Sequence, residues 1–147
     1  MLVHDFLVHS AARYPRKTAV VCGKERGTYA ELDSKTNRFA GALVDAGVRR
    51  GDRVIVYLPN SIDMVVAVFG ALKAGAAFVP VNYGMKADKL SYIVNNCAAA
   101  ALVTDKAGLE VIGDALPGLD TVSVVVSTRM ADPHPGGKTH LTYDEIF

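Results

Sequence analysis

Few groups in this chain could do chemistry, and their spacing excludes most of the chemistry they could do. Two stretches approach a phosphate-binding loop. Gly70-Ala-Leu-Lys-Ala-Gly75 has the glycine spacing, but Ala76 and Ala77 stand where lysine and a hydroxyl residue are required. Gly137-Lys138-Thr139 has the required ending, but Asp132 occupies the place of the first glycine and the loop is interrupted by proline. No G-x-G-x-x-G fingerprint and no G-x-S-x-G elbow occur, so neither dinucleotide binding nor an activated serine has support. His4, His9, His134 and His140 do not combine with Cys22, Cys97 or the acids at metal-ligand spacing. The first two histidines are expected on the exposed side of an opening helix, the other two on a loop. Asp52 is expected to close the turn at Gly51. Lys86 and Lys89 form a first-turn cation pair which, on spacing alone, reads as solvated.

The elements that must position these groups centre on Pro59–Asn82. Met64–Leu72 has no charge and no hydrogen-bonding side chain. Asn60 or Ser61 can cap it, Asp63 and Lys73 complement the helix dipole, and Gly75 supplies a left-handed terminus. An apolar middle on every face predicts a helix covered on all sides, and the Ala-Phe-Val-Pro-Val that follows, with Pro80 inside it, predicts a buried strand.

Upstream, Val3, Phe6, Leu7, Ser10, Ala11 and Tyr14 recur at helical spacing, which predicts an amphipathic helix over 2–14. A strand is expected at Thr18–Cys22 and a turn at Gly23–Gly27. Thr28-Tyr-Ala-Glu31 is a capping box, and its helix should bury Leu32, Thr36, Phe39, Ala40, Leu43 and Val44. Downstream, strands are expected at 53–58, 77–81, 99–104 and 121–126, with helices between them. Residues 127–140 read as a loop. The alternation predicts an α/β fold, a parallel sheet in βαβ layers with helices on both faces. A second capping pattern, Thr142-Tyr-Asp-Glu145, begins a helix just before Phe147, so the chain is expected to be truncated after Phe147.

Composition sets the outer limits. Half of the 147 residues are apolar, and sixteen basic residues against fifteen acidic give a formal charge of +1. That balance carries no case for nucleic acid or an anionic membrane. The longest apolar run would span about 14 Å as helix against a hydrocarbon core of roughly 30 Å, so no transmembrane segment is expected. The N-terminus lacks the basic region of a signal peptide, and the two cysteines read as reduced, which together predict a cytoplasmic protein.

Leu72-Lys-Ala-Gly-Ala-Ala-Phe-Val-Pro-Val-Asn82 resembles the second core motif of the acyl-adenylate-forming enzymes, the AMP-forming acyl-CoA synthetases and their relatives. Gly27-Thr-Tyr-Ala-Glu-Leu32 is similar to their first core motif, and Gly47–Val54 followed by Leu58-Pro-Asn60 to the strand between them. The resemblance covers Val3 to about Val103. It implies the N-terminal part of an acid–CoA ligase large domain, whose full-length form uses ATP, Mg²⁺ and CoA. The motifs present are structural, carried by Thr28, Glu31, Gly51, Gly75 and Pro80. The family's glycine-rich ATP loop and later motifs are not in this chain, so no catalytic residue, metal ligand or tightly bound cofactor is expected in it. By the same resemblance Lys86 and Lys89 become candidate contacts to CoA phosphates. The expected partners are the downstream part of the same enzyme and a second copy, as a homodimer through exposed sheet surface. A fragment of an amino-acid adenylation domain, or a free-standing non-catalytic module of this fold, is the alternative.

Overall fold

The computed structural model describes residues 1–128 and 136–147. The chain opens with α1 (Asp5–Arg13) and an antiparallel hairpin of β1 (Thr18–Cys22) and β2 (Glu25–Thr28), followed by α2 (Tyr29–Asp45). Then come β3 (Arg53–Tyr57), α3 (Ile62–Lys73), β4 (Ala77–Pro80), α4 (Ala87–Asn96), β5 (Ala101–Asp105), α5 (Lys106–Ile112), β6 (Val124–Thr128), β7 (Thr139–Thr142) and α6 (Tyr143–Ile146). The last five strands form one parallel sheet in the order β4-β3-β5-β6-β7. This is the expected α/β architecture.

Alternation along the central strands divides the core in two. Val54 and Val56 of β3, Val103 of β5 and Val126 of β6 pack with Phe39 and Leu43 of α2 and Val66, Ala67 and Ala71 of α3. Ile55, Tyr57, Leu102 and Val125 pack on the other face with Leu90 and Val94 of α4 and with Ile112, Leu116 and Leu119. Successive residues of a strand point to opposite faces, so continuous Val/Ile runs fill both. With helices on both faces, the bare sheet surface expected for a homodimer is absent among the described residues. What stays open is the edges.

Several local expectations hold in detail. Thr28 and Glu31 exchange the capping-box bonds, with Thr28 N–H donating to the Glu31 carboxylate at 2.8 Å and Glu31 N–H to Thr28 Oγ1 at 3.3 Å. Ser61 caps α3 by accepting from Met64 N–H at 3.1 Å. Gly75 takes φ +77° just past the helix, and Gly51 takes φ +86° and donates its N–H to Gly75 O at 2.9 Å. Asp52 closes its turn through Arg49 N–H at 2.8 Å. Lys73 Nζ lies 2.6 Å from Asp33 Oδ1 and 2.7 Å from Asn37 Oδ1, joining α3 to α2.

Others are corrected. β4 is an edge strand with Ala77 and Pro80 exposed, not a buried one. Ala77 and Val81 donate to Asp52 and Val56 of the neighbouring strand. The missing N–H of Pro80 therefore falls on the outer side, where it costs no ladder bond. α3 is not covered on every side: Val66, Ala67, Gly70 and Ala71 are buried, while Met64, Val65, Val68, Phe69 and Leu72 are half-buried. α1 starts three residues later than its pattern and buries Leu7 alone, leaving Val3 and Phe6 more than half exposed. Val44 is exposed, because α2 meets its neighbours along Leu32, Thr36, Phe39, Ala40 and Leu43. The glycine-flanked turn at 23–27 is mostly strand β2, paired tightly to β1. The strand expected at 121–126 lies at 124–128, and the loop expected over 127–140 ends in a fifth parallel strand, β7. His140 sits on that strand, its Nε2 2.7 Å from Ser127 Oγ, and so does not decorate a loop. His134 and Asp132 lie outside the described residues.

Candidate functional site

The crossover from β3 leads through α3 to β4 on one side, and the crossover from β5 leads through α5 to β6 on the other. β3 and β5 are neighbours, so their carboxyl ends flank a topological switch point, where open α/β sheets leave a crevice. A cleft of about 790 Å³ lies at this edge, lined by Leu58 and Pro59 after β3, Ser61 and Asp63 at the start of α3, Asp105, Lys106, Ala107 and Glu110 after β5, Thr128 at the end of β6, and Cys22 and Glu25 of the hairpin.

The floor of this edge is tightly built. Thr104 Oγ1 donates to Tyr57 O at 2.8 Å within the core. Gly108 fits only as glycine: a Cβ there would sit 1.9 Å from Thr104 Oγ1 and 3.0 Å from the Tyr57 ring. Asp105 caps α5 by accepting from Gly108 N–H at 2.8 Å, and it also accepts the Tyr83 hydroxyl at 2.7 Å to each carboxylate oxygen. That bond, with burial, pushes the Tyr83 hydroxyl up to about 12. Burial raises Tyr57 as well; its hydroxyl donates to Met85 O at 2.8 Å and its ring lies 5.2 Å from that of Tyr83.

The charges of the cleft decide what it can hold. Among the described residues of its lining, Glu25, Asp63, Asp105 and Glu110 stand with one cation, Lys106. The carboxylates among these described residues accept hydrogen bonds and supply no donors for a triphosphate. Among the described residues, no group of three or more His, Cys, Asp or Glu side chains is arranged to hold a metal ion. The Gly70–Gly75 near miss has another explanation, since a Cβ at Gly70 would lie 2.4 Å from Phe39 Cδ1: this glycine lets α3 approach α2.

Lys86 and Lys89 lie elsewhere, at the start of α4. Both are exposed and, with Asn82, Gly84, Met85 and Asp88, line a shallow groove of about 490 Å³. Beside it Met85, Tyr92 and Ile93 form an apolar shelf, Tyr92 being 69% exposed. Two exposed cations next to an exposed aromatic face suit a phosphorylated ligand with a flat ring. The structural-motif residues are not part of this groove: Gly51 and Gly75 meet at the amino end of the sheet, and Thr28 and Glu31 start α2. Sequence reasoning missed Asp105, Tyr83 and Tyr57. Asp105 had a readable signal, an acid ending an apolar strand before a helix. The tyrosines had none, because their partners are far along the chain.

A model of the AMP-binding enzyme family matches residues 7–144. The chain belongs to the AMP-binding enzyme family. This family member is 35% identical over 124 residues to a medium/long-chain-fatty-acid–CoA/3-oxocholest-4-en-26-oate–CoA ligase of Mycobacterium marinum, a match covering 84% of this chain and 22% of that protein. It is 33% identical over 136 residues to malpinin synthetase of Mortierella alpina, covering 92% of this chain and 2% of that protein. Among solved structures it superposes on an anthranilate CoA ligase in complex with anthranoyl-AMP with a TM-score of 0.89 at 25% identity, covering 99% of this chain and 27% of that one. The chain thus spans about a fifth, or far less, of the length of these curated relatives. No helix among the described residues is long and apolar enough to cross a membrane.

Proposed function

We propose that this chain is the N-terminal scaffold segment of an acid–CoA ligase, the enzyme that joins ATP, a carboxylate and CoA to give acyl-CoA, AMP and pyrophosphate. The observation that carries the reading is the 35% identity to a fatty-acid–CoA ligase that extends over most of this chain but only 22% of that protein. The segment supplies a rigid parallel sheet and one wall of the acyl and CoA region. Lys86 and Lys89 contact CoA phosphates, supported by their exposure beside the Met85–Tyr92 shelf. ATP and Mg²⁺ are held by parts of the enzyme beyond these residues, and the segment alone does not adenylate. Adenylation needs donors and a metal placed where charge develops as pyrophosphate leaves, and neither of the two near-miss phosphate loops supplies such donors. The likeness to malpinin synthetase supports a second reading, a segment of an amino-acid adenylation domain.

Two measurements on the 147-residue chain test this. Carboxylate-dependent exchange of labelled pyrophosphate into ATP is expected to equal a no-protein control, and exchange above it would overturn the scaffold reading. Calorimetric titration is expected to show weak CoA binding, lost in the Lys86→Ala/Lys89→Ala double variant. An unchanged titration in that variant would remove the lysines from the site.

A further inference from the structure

The loop over 82–86 has no regular structure, yet it is fixed from within and from outside. Gly84 N–H donates to Asn82 Oδ1 at 2.8 Å and Met85 N–H to Asn82 O at 3.0 Å. The other two bonds are tyrosine anchors. Tyr57 reaches from the end of β3 to Met85 O at 2.8 Å, and Tyr83 reaches from the loop to Asp105 at the end of β5, 2.7 Å from each oxygen. The two rings lie 5.2 Å apart and brace each other. Lys86 follows at once as the N-cap residue of α4, so the anchors hold its backbone, while its side chain makes no capping bond and is exposed.

We propose that Tyr83 is a positioning residue for a phosphorylated ligand at Lys86 and Lys89, acting through its bond to Asp105. This rests on the reading of those lysines as CoA contacts and adds what makes them a site. Lysine is a flexible point charge, so two lysines on a mobile loop would attract phosphate without orienting it. A loop already ordered before the ligand arrives spares the complex that entropy. Asp105 is placed for the task because its position is independently held by the cap to Gly108. Since Asp105 also lines the cleft at the switch point, the anchor ties the groove to the cleft through one carboxylate.

The experiment titrates CoA into the wild-type chain, Tyr83→Phe, Lys86→Ala and the Tyr83→Phe/Lys86→Ala pair, with thermal melting beside each. Tyr83→Phe is expected to weaken CoA binding roughly five- to tenfold, a part of what one lost bond to a charged group is worth, because the bond acts on the ligand only through the loop. In the Lys86→Ala background the same change is expected to cost little more, because a residue acting through Lys86 has nothing left to position. Independent, multiplying losses would mean that Tyr83 supports the fold generally, and would overturn the proposal. If Tyr83→Phe does not fold, Asp105→Ser replaces it, because serine can still cap Gly108 but is too short to reach Tyr83. CoA binding that weakens in the lysine variants but is untouched by Tyr83→Phe or Asp105→Ser would sink the positioning role and leave the CoA site standing. A wild-type chain that does not bind CoA would sink both.

Discussion

Gly70 and Gly75 sit five residues apart in one motif and are required for different reasons. Gly75 holds φ +77°, and a Cβ there would meet only ordinary contacts with Arg50, the nearest at 3.4 Å. Gly70 is ordinary helix, but a Cβ would lie 2.4 Å from the Phe39 ring, which is fully buried. Gly75→Val is therefore expected to lower stability by about 1–3 kcal/mol through backbone strain. Gly70→Ala is expected to cost about 1–3 kcal/mol through overpacking, even though alanine favours the helix. Combining Gly70→Ala with Phe39→Leu should recover part of the second loss and none of the first, as read by chemical denaturation. Equal rescue of both glycine variants would show that one mechanism serves both. The turn chemistry of Gly75 was legible in the sequence because a left-handed terminus is a local requirement. The need at Gly70 was not, because Phe39 arrives from another helix.

β4 and α3 show where element-scale reading stops. The apolar composition of both predicts burial, and both carry an open side: Pro80 on the outer edge of the sheet, and Val65, Val68, Phe69 and Leu72 half-buried on the helix. Composition tells how much apolar surface an element has, whereas its place in the strand order decides how much of it is covered. An uncovered edge and a half-covered helix are expected to make the isolated chain self-associate at high concentration or bind a hydrophobic dye. Pro80→Val should strengthen association, since it restores an outward N–H on the edge strand. Sedimentation as a monomer at all concentrations, with no dye binding and no change in Pro80→Val, would show that these surfaces are closed.

The molecule as a whole has two cores that share one sheet. Leu43 of α2 lies in one and Leu90 of α4 in the other, both fully buried. Because β3, β5 and β6 contribute to both, the loss of either core removes a wall of the other. Leu43→Ala and Leu90→Ala are each expected to cost about 2–5 kcal/mol and to shift one and the same unfolding transition. Two separately moving transitions in calorimetry would mean that the faces fold independently.

Thr28 with Glu31, Ser61 at the head of α3, Gly75 at its end and the apolar runs of β3 and β5 were all determined by the sequence itself. Caps, left-handed turns and apolar runs are contracts between residues a few positions apart, and the βαβ alternation follows from them. Tertiary structure alone decided that β5 is central and β4 an edge, that β7 joins as a fifth strand, and that Asp105 accepts the hydroxyl of Tyr83, 22 residues away. Strand order depends on which faces find cover in three dimensions, and a bond between side chains that far apart leaves no periodicity to read. The lysines could be picked out from the chain, but what holds the loop beneath them depends on the fold.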